Sequence, residues 1–281
     1  MGTAKEVFQI SEEQHSKLEA LAAEKGLSGG HKTLIEEFVK KYSVPCYYIR
    51  IDKGEPAPLD SSIGGVPYLP AGEALPDGKE LLIQINFEGV ELEGYPDKGI
   101  FQIFSNYDKE DLEEDDDDDD WDYGDGFSPI ARYYAEISDD YQKKAPCSKS
   151  TLPREHRKIK LEKSWSLISP LYADFASEIF VDCAIYKKIT EDEDFGETIW
   201  EIIDEVFCEE RHTSNLGGYA SSPQGQYGIP YGAKMEDEDP VMLHLDADLI
   251  YWGDSGIFYF HYEKIDALKK DQPLYSYGDM C

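Results

Sequence analysis

The chain has 281 residues, of which 59 are acidic and 27 basic, so its formal net charge is -32. This charge repels nucleic-acid phosphates and anionic lipid headgroups, which argues against a nucleic-acid or membrane partner and favours a basic one. The hydrophobic fraction of 41% is large enough for a sizeable core and excludes disorder throughout.

The cysteines indicate a reducing compartment. All five cysteines are widely spaced, with no Cys-x-x-Cys pair, so neither a disulfide framework nor a zinc knuckle is predicted. The first thirty residues lack a basic start followed by an apolar run, and no stretch of eighteen apolar residues occurs. The sequence therefore predicts a cytoplasmic protein.

Two helices are predicted at the amino-terminal end. Ser11 and Gln14 have the spacing of a capping box, and apolar residues follow at helical spacing until Gly26. A second helix is predicted over residues 32–42, with its apolar side chains on one face. We expect residues 1–44 to form a helical leader.

From Pro45 onward the sequence favours strands. Short runs rich in aromatic and β-branched residues are bounded by Gly, Pro and Asp, as is typical of strands. These runs are residues 47–49, 81–87, 99–104 and 130–137. Residues 197–207 instead have apolar side chains at helical spacing. The predicted class is α+β and strand-rich, with two helices preceding a single core.

An acidic insertion occupies residues 108–125, which hold thirteen acidic residues and one lysine. Like-charge blocks of this kind usually remain solvated loops. A calcium loop is a weaker interpretation, because the EF-hand frame that begins at Asp118 has Tyr123 at its glycine position and Pro129 at its final glutamate position.

Three short signals occur twice in the same order. The first set consists of Ile63-Gly64-Gly65, residues 82–86 and Tyr95-Pro96-Asp97-Lys98-Gly99. The second set consists, in the same order, of Leu216-Gly217-Gly218, residues 242–246 and Trp252-Gly253-Asp254-Ser255-Gly256. This pattern predicts that residues 45–281 form one internally duplicated domain. Copy one spans about 60–107 and copy two about 212–268.

The glycines and aspartates of these signals are predicted to be structural. The pairs Gly64-Gly65 and Gly217-Gly218 indicate tight turns or close backbone approach.

In the second type of turn, Asp97 and Asp254 are expected to cap backbone N–H groups, and Gly99 and Gly256 to supply an unusual φ. Gly253 to Gly256 also spells a serine-protease tetrad, but Lys98 takes the place of Ser255 in the other copy, which argues against a nucleophile.

Strand alternation brings possible metal ligands together. His244, Asp246 and Asp248 share one face of their strand, and His261 lies on the next strand along the chain. These groups could bind zinc or a similar ion. The first copy has Gln84 in place of His244, and an amide is a poor metal ligand, so we expect no metal and no cofactor.

The same polar residues form a candidate face for a ligand or partner. Its members are Gln84, Asn86, His244, Asp246, Trp252 and Tyr259. Burial as satisfied polar groups between the two halves is the alternative.

Together these segments resemble the YwqG-like family, bacterial proteins of largely unknown function. The resemblance spans residues 45–281 and includes Ser62-Ile63-Gly64-Gly65-Val66-Pro67-Tyr68-Leu69-Pro70 and the run 81–87. It implies a cytoplasmic α+β protein with internal duplication and brings no established catalytic residue. The chain departs from the family pattern at 220–224, at His244 and in its acidic insertion.

Two classes of function follow. The first is a non-enzymatic module that binds a protein, a peptide or a small ligand, in one version an immunity-type protein that neutralises a basic toxin. The alternative is a metal-assisted hydrolase that uses the His/Asp cluster of the second copy.

Overall fold

The computed structural model describes residues 7–105, 129–143, 156–167, 183–208, 213–219, 241–246, 249–250, 257–261 and 264–279. The acidic insertion at 108–125 lies outside these residues, as do Asp248, Trp252, Asp254 and Gly256. The side chain of His261 is not described either.

Four α-helices lie in the described part of the chain. They are α1 (Glu12–Glu24), α2 (Gly29–Tyr42), α3 (Ala184–Thr190) and α4 (Gly196–Phe207), and a short 3₁₀ helix covers Ile265–Ala267. None of them combines the length and the apolar character needed to cross a membrane.

Both amino-terminal helices begin with a capping box. The Ser11 side chain accepts from the N–H of Gln14, whose side chain accepts from the N–H of Ser11 in return, as predicted. The second helix begins three residues before its predicted start, because Ser28 and His31 form a second capping box there. Histidine is not one of the usual partners in this motif, so the sequence pattern did not reveal it.

Eleven strands are present among the described residues. They are β1 (Val44–Ile51), β2 (Ser62–Ile63), β3 (Glu80–Asn86), β4 (Ile100–Ser105), β5 (Ile130–Tyr134), β6 (Arg157–Ser166), β7 (Asn215–Gly217), β8 (Val241–Asp246), β9 (Ile257–His261), β10 (Gln272–Pro273) and β11 (Tyr275–Asp279). The predicted strands are confirmed to within a few residues at their ends.

The strands form one sheet in the order β10-β5-β4-β3-β2-β6-β1-β7-β8-β9-β11. Every pairing with a described register is antiparallel. Strands β3 and β4 are buried along nearly their whole length, so both faces of the sheet are covered there.

The chain divides into two compact units. The first comprises residues 1–47, 163–212 and 218–231, and the second comprises residues 48–162, 213–217 and 232–281. In the first unit, α1 and α2 pack with α3 and α4 around a hydrophobic cluster that includes Leu18, Phe38, Ile199 and Ile203. The two amino-terminal helices thus share a core with helices from much later in the chain, which the sequence analysis did not anticipate.

Gly99 permits the close approach of β4 and β5. Its φ is 90°, and a Cβ there would lie 2.4 Å from the carbonyl oxygen of Tyr134 and 3.1 Å from the Cα of Ala135. These neighbours are backbone atoms of a sheet strand and its end, so they cannot move aside cheaply.

We expect Gly99→Ala to lower the free energy of unfolding by about 1 to 3 kcal/mol more than Gly89→Ala does. Gly89 is the matched control, since its φ is 83° but a Cβ there would meet nothing within 4 Å. Urea unfolding of both variants measures the difference. Equal losses of unfolding free energy in the two variants would show that the positive φ alone, and not the close contact, matters at Gly99.

Candidate functional site

The first glycine turn is held by serine side chains. Gly64 and Gly65 have φ values of 60° and 88°, the left-handed conformation that favours glycine. The hydroxyl of Ser62 donates to the carbonyl of Gly64 at 2.9 Å, and that of Ser61 accepts from the N–H of Asn86 at 2.9 Å. The turn is thereby tied to the end of β3.

The second glycine turn has the same set of contacts. Gly217 and Gly218 have φ values of 68° and 80°. The amide of Asn215 donates to the carbonyl of Gly217 at 2.6 Å, and the hydroxyl of Ser214 accepts from the N–H of Asp246 at 2.8 Å. An asparagine takes the place of Ser62, and β8 takes the place of β3.

Both turns lie against bulky neighbours. A Cβ at Gly64 would be 3.1 Å from the ring of His156, and one at Gly217 would be 2.7 Å from Leu92 and 3.5 Å from the ring of Tyr95. The glycines therefore serve close packing as well as the turn itself.

A row of polar residues crosses the first half of the sheet. Ser62 on β2 is opposite Gln84 on β3, which is opposite Gln102 on β4, which in turn is opposite Arg132 on β5. Directly opposite residues share one face of a sheet, and all four are buried. We call these four residues the first polar row.

Gln84 uses its side chain fully within the chain. Its Oε1 accepts from the N–H of Tyr68 at 2.8 Å and from Nε2 of Gln102 at 2.7 Å. Its Nε2 donates to the carbonyls of Pro58 at 2.9 Å and Asp60 at 2.7 Å. With both donors and both acceptor sites occupied, Gln84 fastens the loop around the glycine turn to the sheet.

Gln102 completes the attachment of this loop. Its Nε2 also donates to the carbonyl of Tyr68 at 2.8 Å, so both backbone groups of Tyr68 are bound to the row. Its Oε1 is buried with no hydrogen-bond partner among the described residues.

A second polar row lies in the other half of the sheet. Asn215 on β7 is opposite His244 on β8, which is opposite Tyr259 on β9, and all three are buried. Nδ1 of His244 lies 2.7 Å from Oδ1 of Asn215, and its ring stacks on Tyr259 with centroids 5.4 Å apart. Because Nδ2 of Asn215 donates to Gly217, its Oδ1 is an acceptor, which places a proton on Nδ1 of His244.

The remaining candidates for a contact face lie at the ends of these strands. Asn86 is half-buried, and its side chain donates to the carbonyl of Leu59 and accepts from the N–H of Glu88, both at 2.9 Å. Asp246 is half-buried at the matching end of β8. Trp252 lies outside the described residues.

The metal candidates are only partly covered by the structure. The described residues contain no group of three or more His, Cys, Asp or Glu side chains that could hold an ion. Asp248 is not described, and of His261 only the backbone is, paired with Val241 and Tyr275.

The turn at Asp97 includes Gly99, whose φ is 90°. Asp97 is exposed. The expected capping role of its carboxylate stays a prediction. The corresponding Asp254 and Gly256 lie outside the described residues, so their structural role stays a prediction.

A partly buried ion pair ends the first polar row. Arg132, whose side chain is only 3% exposed, binds both carboxylate oxygens of Asp271 through Nε and Nη2. Its Nη1 donates to the carbonyl of Ala74 at 2.8 Å, and its guanidinium lies over the ring of Phe104. A bidentate pair of this kind fixes orientation as well as charge.

A second ion pair lies beside the first. The carboxylate of Glu73 accepts from the hydroxyl of Tyr134 at 2.9 Å and from Nζ of Lys270 at 2.8 Å. Burial disfavours its charged form, but hydrogen bonds from Lys270 and Tyr134 and the positive charges of Lys270 and Arg132 outweigh burial, so the pKa of Glu73 lies below its ordinary value. We call Arg132, Asp271, Glu73 and Lys270 the ionic clasp.

Sequence reasoning missed the ionic clasp and Gln102. A polar residue inside an apolar strand was the available signal, since Gln102 interrupts Ile-Phe-Gln-Ile-Phe and Arg132 follows Ile-Ala. Both strands were predicted, yet nothing local links Arg132 to Asp271, which lies 139 residues away.

Comparison with known families finds a domain of unknown function. Residues 61–273 match the model described as Domain of unknown function (DUF1963). Since this match covers well over half of the chain, the chain belongs to that family. No curated protein is detectably similar to it.

We expect Gln84→Met to lower the free energy of unfolding by about 2 to 4 kcal/mol, since buried groups left unsatisfied cost about 1 to 3 kcal/mol each. Methionine keeps the volume and removes only the hydrogen bonds. The control Gln9→Met, at an exposed glutamine, should change stability by less than about 0.5 kcal/mol. Denaturant unfolding measures both variants, and a loss no larger than the control's would contradict the structural role of Gln84.

The stabilisation from Glu73 should depend on pH. A carboxylate whose folded pKa is lowered stabilises the protein above its ordinary pKa, and this stabilisation is lost as the pH falls through the folded pKa. Glu73→Gln should therefore lower the melting temperature at neutral pH, and the two proteins should converge in acid. The exposed Glu136→Gln, which breaks a solvent-screened pair with Lys98, should have a smaller effect. If Glu73→Gln lowers the melting temperature by the same amount in acid as at neutral pH, the charge of Glu73 is not the cause of the difference.

Proposed function

We propose that the chain is a YwqG-like protein whose sheet arose by internal duplication. The matching contacts of the two glycine turns support this. So does the order of strands, because β2-β3-β4 and β7-β8-β9 follow one another outward from β6 and β1 at the centre. The register also shifts at equivalent places, between Leu81 and Ile83 on β3 and between Val241 and Leu243 on β8.

We further propose that the protein is a non-enzymatic binding module for a basic partner protein. The observation that carries this proposal is the charge of -32, from 59 acidic against 27 basic residues. A field of this size accelerates the encounter with positively charged partners and rejects acidic ones. An immunity-type protein that neutralises a basic toxin is one concrete form of this function. A cytoplasmic location is part of the proposal.

The buried polar rows support a structural role for residues that the sequence suggested as ligand or metal contacts. Gln84 uses all of its hydrogen-bonding groups within the chain, and His244 is buried between Asn215 and Tyr259. A ligand that contacted Gln84 would have to displace the loop that covers it. Exposed acidic side chains can contact a partner without such a rearrangement.

The connection between β3 and β4 offers such side chains. Glu88, Glu91 and Glu93 are exposed there, while Val90 is buried and anchors the connection. On the helical unit, Glu197, Glu201 and Glu205 are exposed along α4. The two sets carry equal charge and allow a matched comparison.

The test uses the chain as bait for a protein extract at physiological ionic strength, followed by kinetic measurement with each purified binder. We expect binders that are basic and associate more slowly as salt rises, because screening shortens the range of the attraction. Replacing Glu88, Glu91 and Glu93 with Gln should slow association, and the equivalent change on α4 is the control. If the association rate falls only in the first variant, the contact lies at the β3–β4 connection. If it falls equally in both variants, the charge acts by long-range steering. Binders without a basic bias, or rates insensitive to salt, would contradict the proposal.

Elemental analysis separates this function from the hydrolase alternative. The protein is purified without added metal, and zinc, manganese and iron are measured per chain. The binding proposal expects no stoichiometric metal. Near-stoichiometric metal that is lost on His244→Ala would favour the hydrolase.

A further inference from the structure

The connection between β9 and β11 is longer than their pairing requires. These strands form an antiparallel pair that begins with Tyr275 opposite His261, and two residues are enough to connect such strands. The chain instead uses residues 262–274. Within them, β10 pairs with β5 at the opposite end of the strand order. We call residues 264–274 the strap, because they join the two ends of the sheet.

The strap has little apolar attachment. Of its residues only Ile265 and Leu274 are buried. Its pairing with β5 covers only two residues, Gln272 and Pro273. The N–H of Leu274 adds one bond, to the carbonyl of Pro129 at 3.0 Å.

Charged side chains supply most of the remaining attachment. Asp271 and Lys270 of the strap bind Arg132 and Glu73 in the ionic clasp. Asp271 has a φ of 56°, and among the described residues it is the only one other than glycine with a positive φ. Its backbone strain opposes the attachment that its carboxylate provides.

We propose that the strap is a reversible closure, which detaches from β5 as a unit while the β9–β11 pair and the rest of the sheet remain folded. Segments with few buried apolar contacts open at lower free energy than the core. The strap is such a segment, and β9 and β11 keep five register pairs without it. Opening leaves the outer edge of β5 (Ile130–Tyr134) without its β10 partner. The ionic clasp sets how often this happens. This inference does not depend on the proposed function.

Native-state hydrogen exchange, read by mass spectrometry, tests the closure. In the wild-type protein, the strap and the outward amides of β5 should exchange together and faster than β3 (Glu80–Asn86). Asp271→Asn removes one charge of the clasp and keeps the side-chain shape, and asparagine tolerates a positive φ. It should accelerate exchange of the strap and β5 by about tenfold or more and leave β3 unchanged, because hydrogen bonds to charged groups are among the strongest.

Two further variants keep the test decisive. Lys98→Gln breaks the exposed pair with Glu136 beyond the end of β5 and should leave exchange of the strap unchanged. Lys270→Gln, at a half-exposed side chain, should accelerate the same peptides by a smaller factor and serves if Asp271→Asn does not fold. The closure is refuted if the strap and β5 exchange only at the rate of β3, or if the clasp variants accelerate all peptides equally.

Discussion

The structure depends on satisfying polar groups that are buried in the middle of a sheet. A buried amide without partners costs as much as several favourable contacts contribute. Gln84 meets this requirement with four hydrogen bonds, three of which reach the backbone of Pro58, Asp60 and Tyr68. The loop around the glycine turn is irregular in conformation, and yet it can lie only where these bonds form.

The same requirement is met by different side chains at the two glycine turns. Ser62 and Asn215 both bond to the carbonyl of a glycine two residues later, one through a hydroxyl and the other through an amide. Gln84 and His244 are then their opposite neighbours. A backbone geometry is kept while the side chains that satisfy it vary, so similar positions need not perform similar chemistry.

Much of the fold could be predicted because its signals are local. The capping box at Ser11, the helix at 197–207 and the strand at 81–87 each follow from residues within one element. The packing of α1 and α2 with α3 and α4 could not be predicted, because an apolar stripe does not specify its partner. The Arg132–Asp271 pair could not be predicted either, because its two residues are 139 positions apart in the chain.

Pro273 has a consequence for the behaviour of the protein at high concentration. β10 is the outermost strand at its end of the sheet, only two residues long, and includes this proline. Sheets with long exposed edges polymerise by adding strands from neighbouring molecules, and a short edge that lacks a donor gives such growth little to extend. The strand that ends the sheet thus also caps it, and mutual repulsion between chains of charge -32 acts in the same direction. At this end of the sheet, the two-residue strand thus leaves little edge for fibre growth.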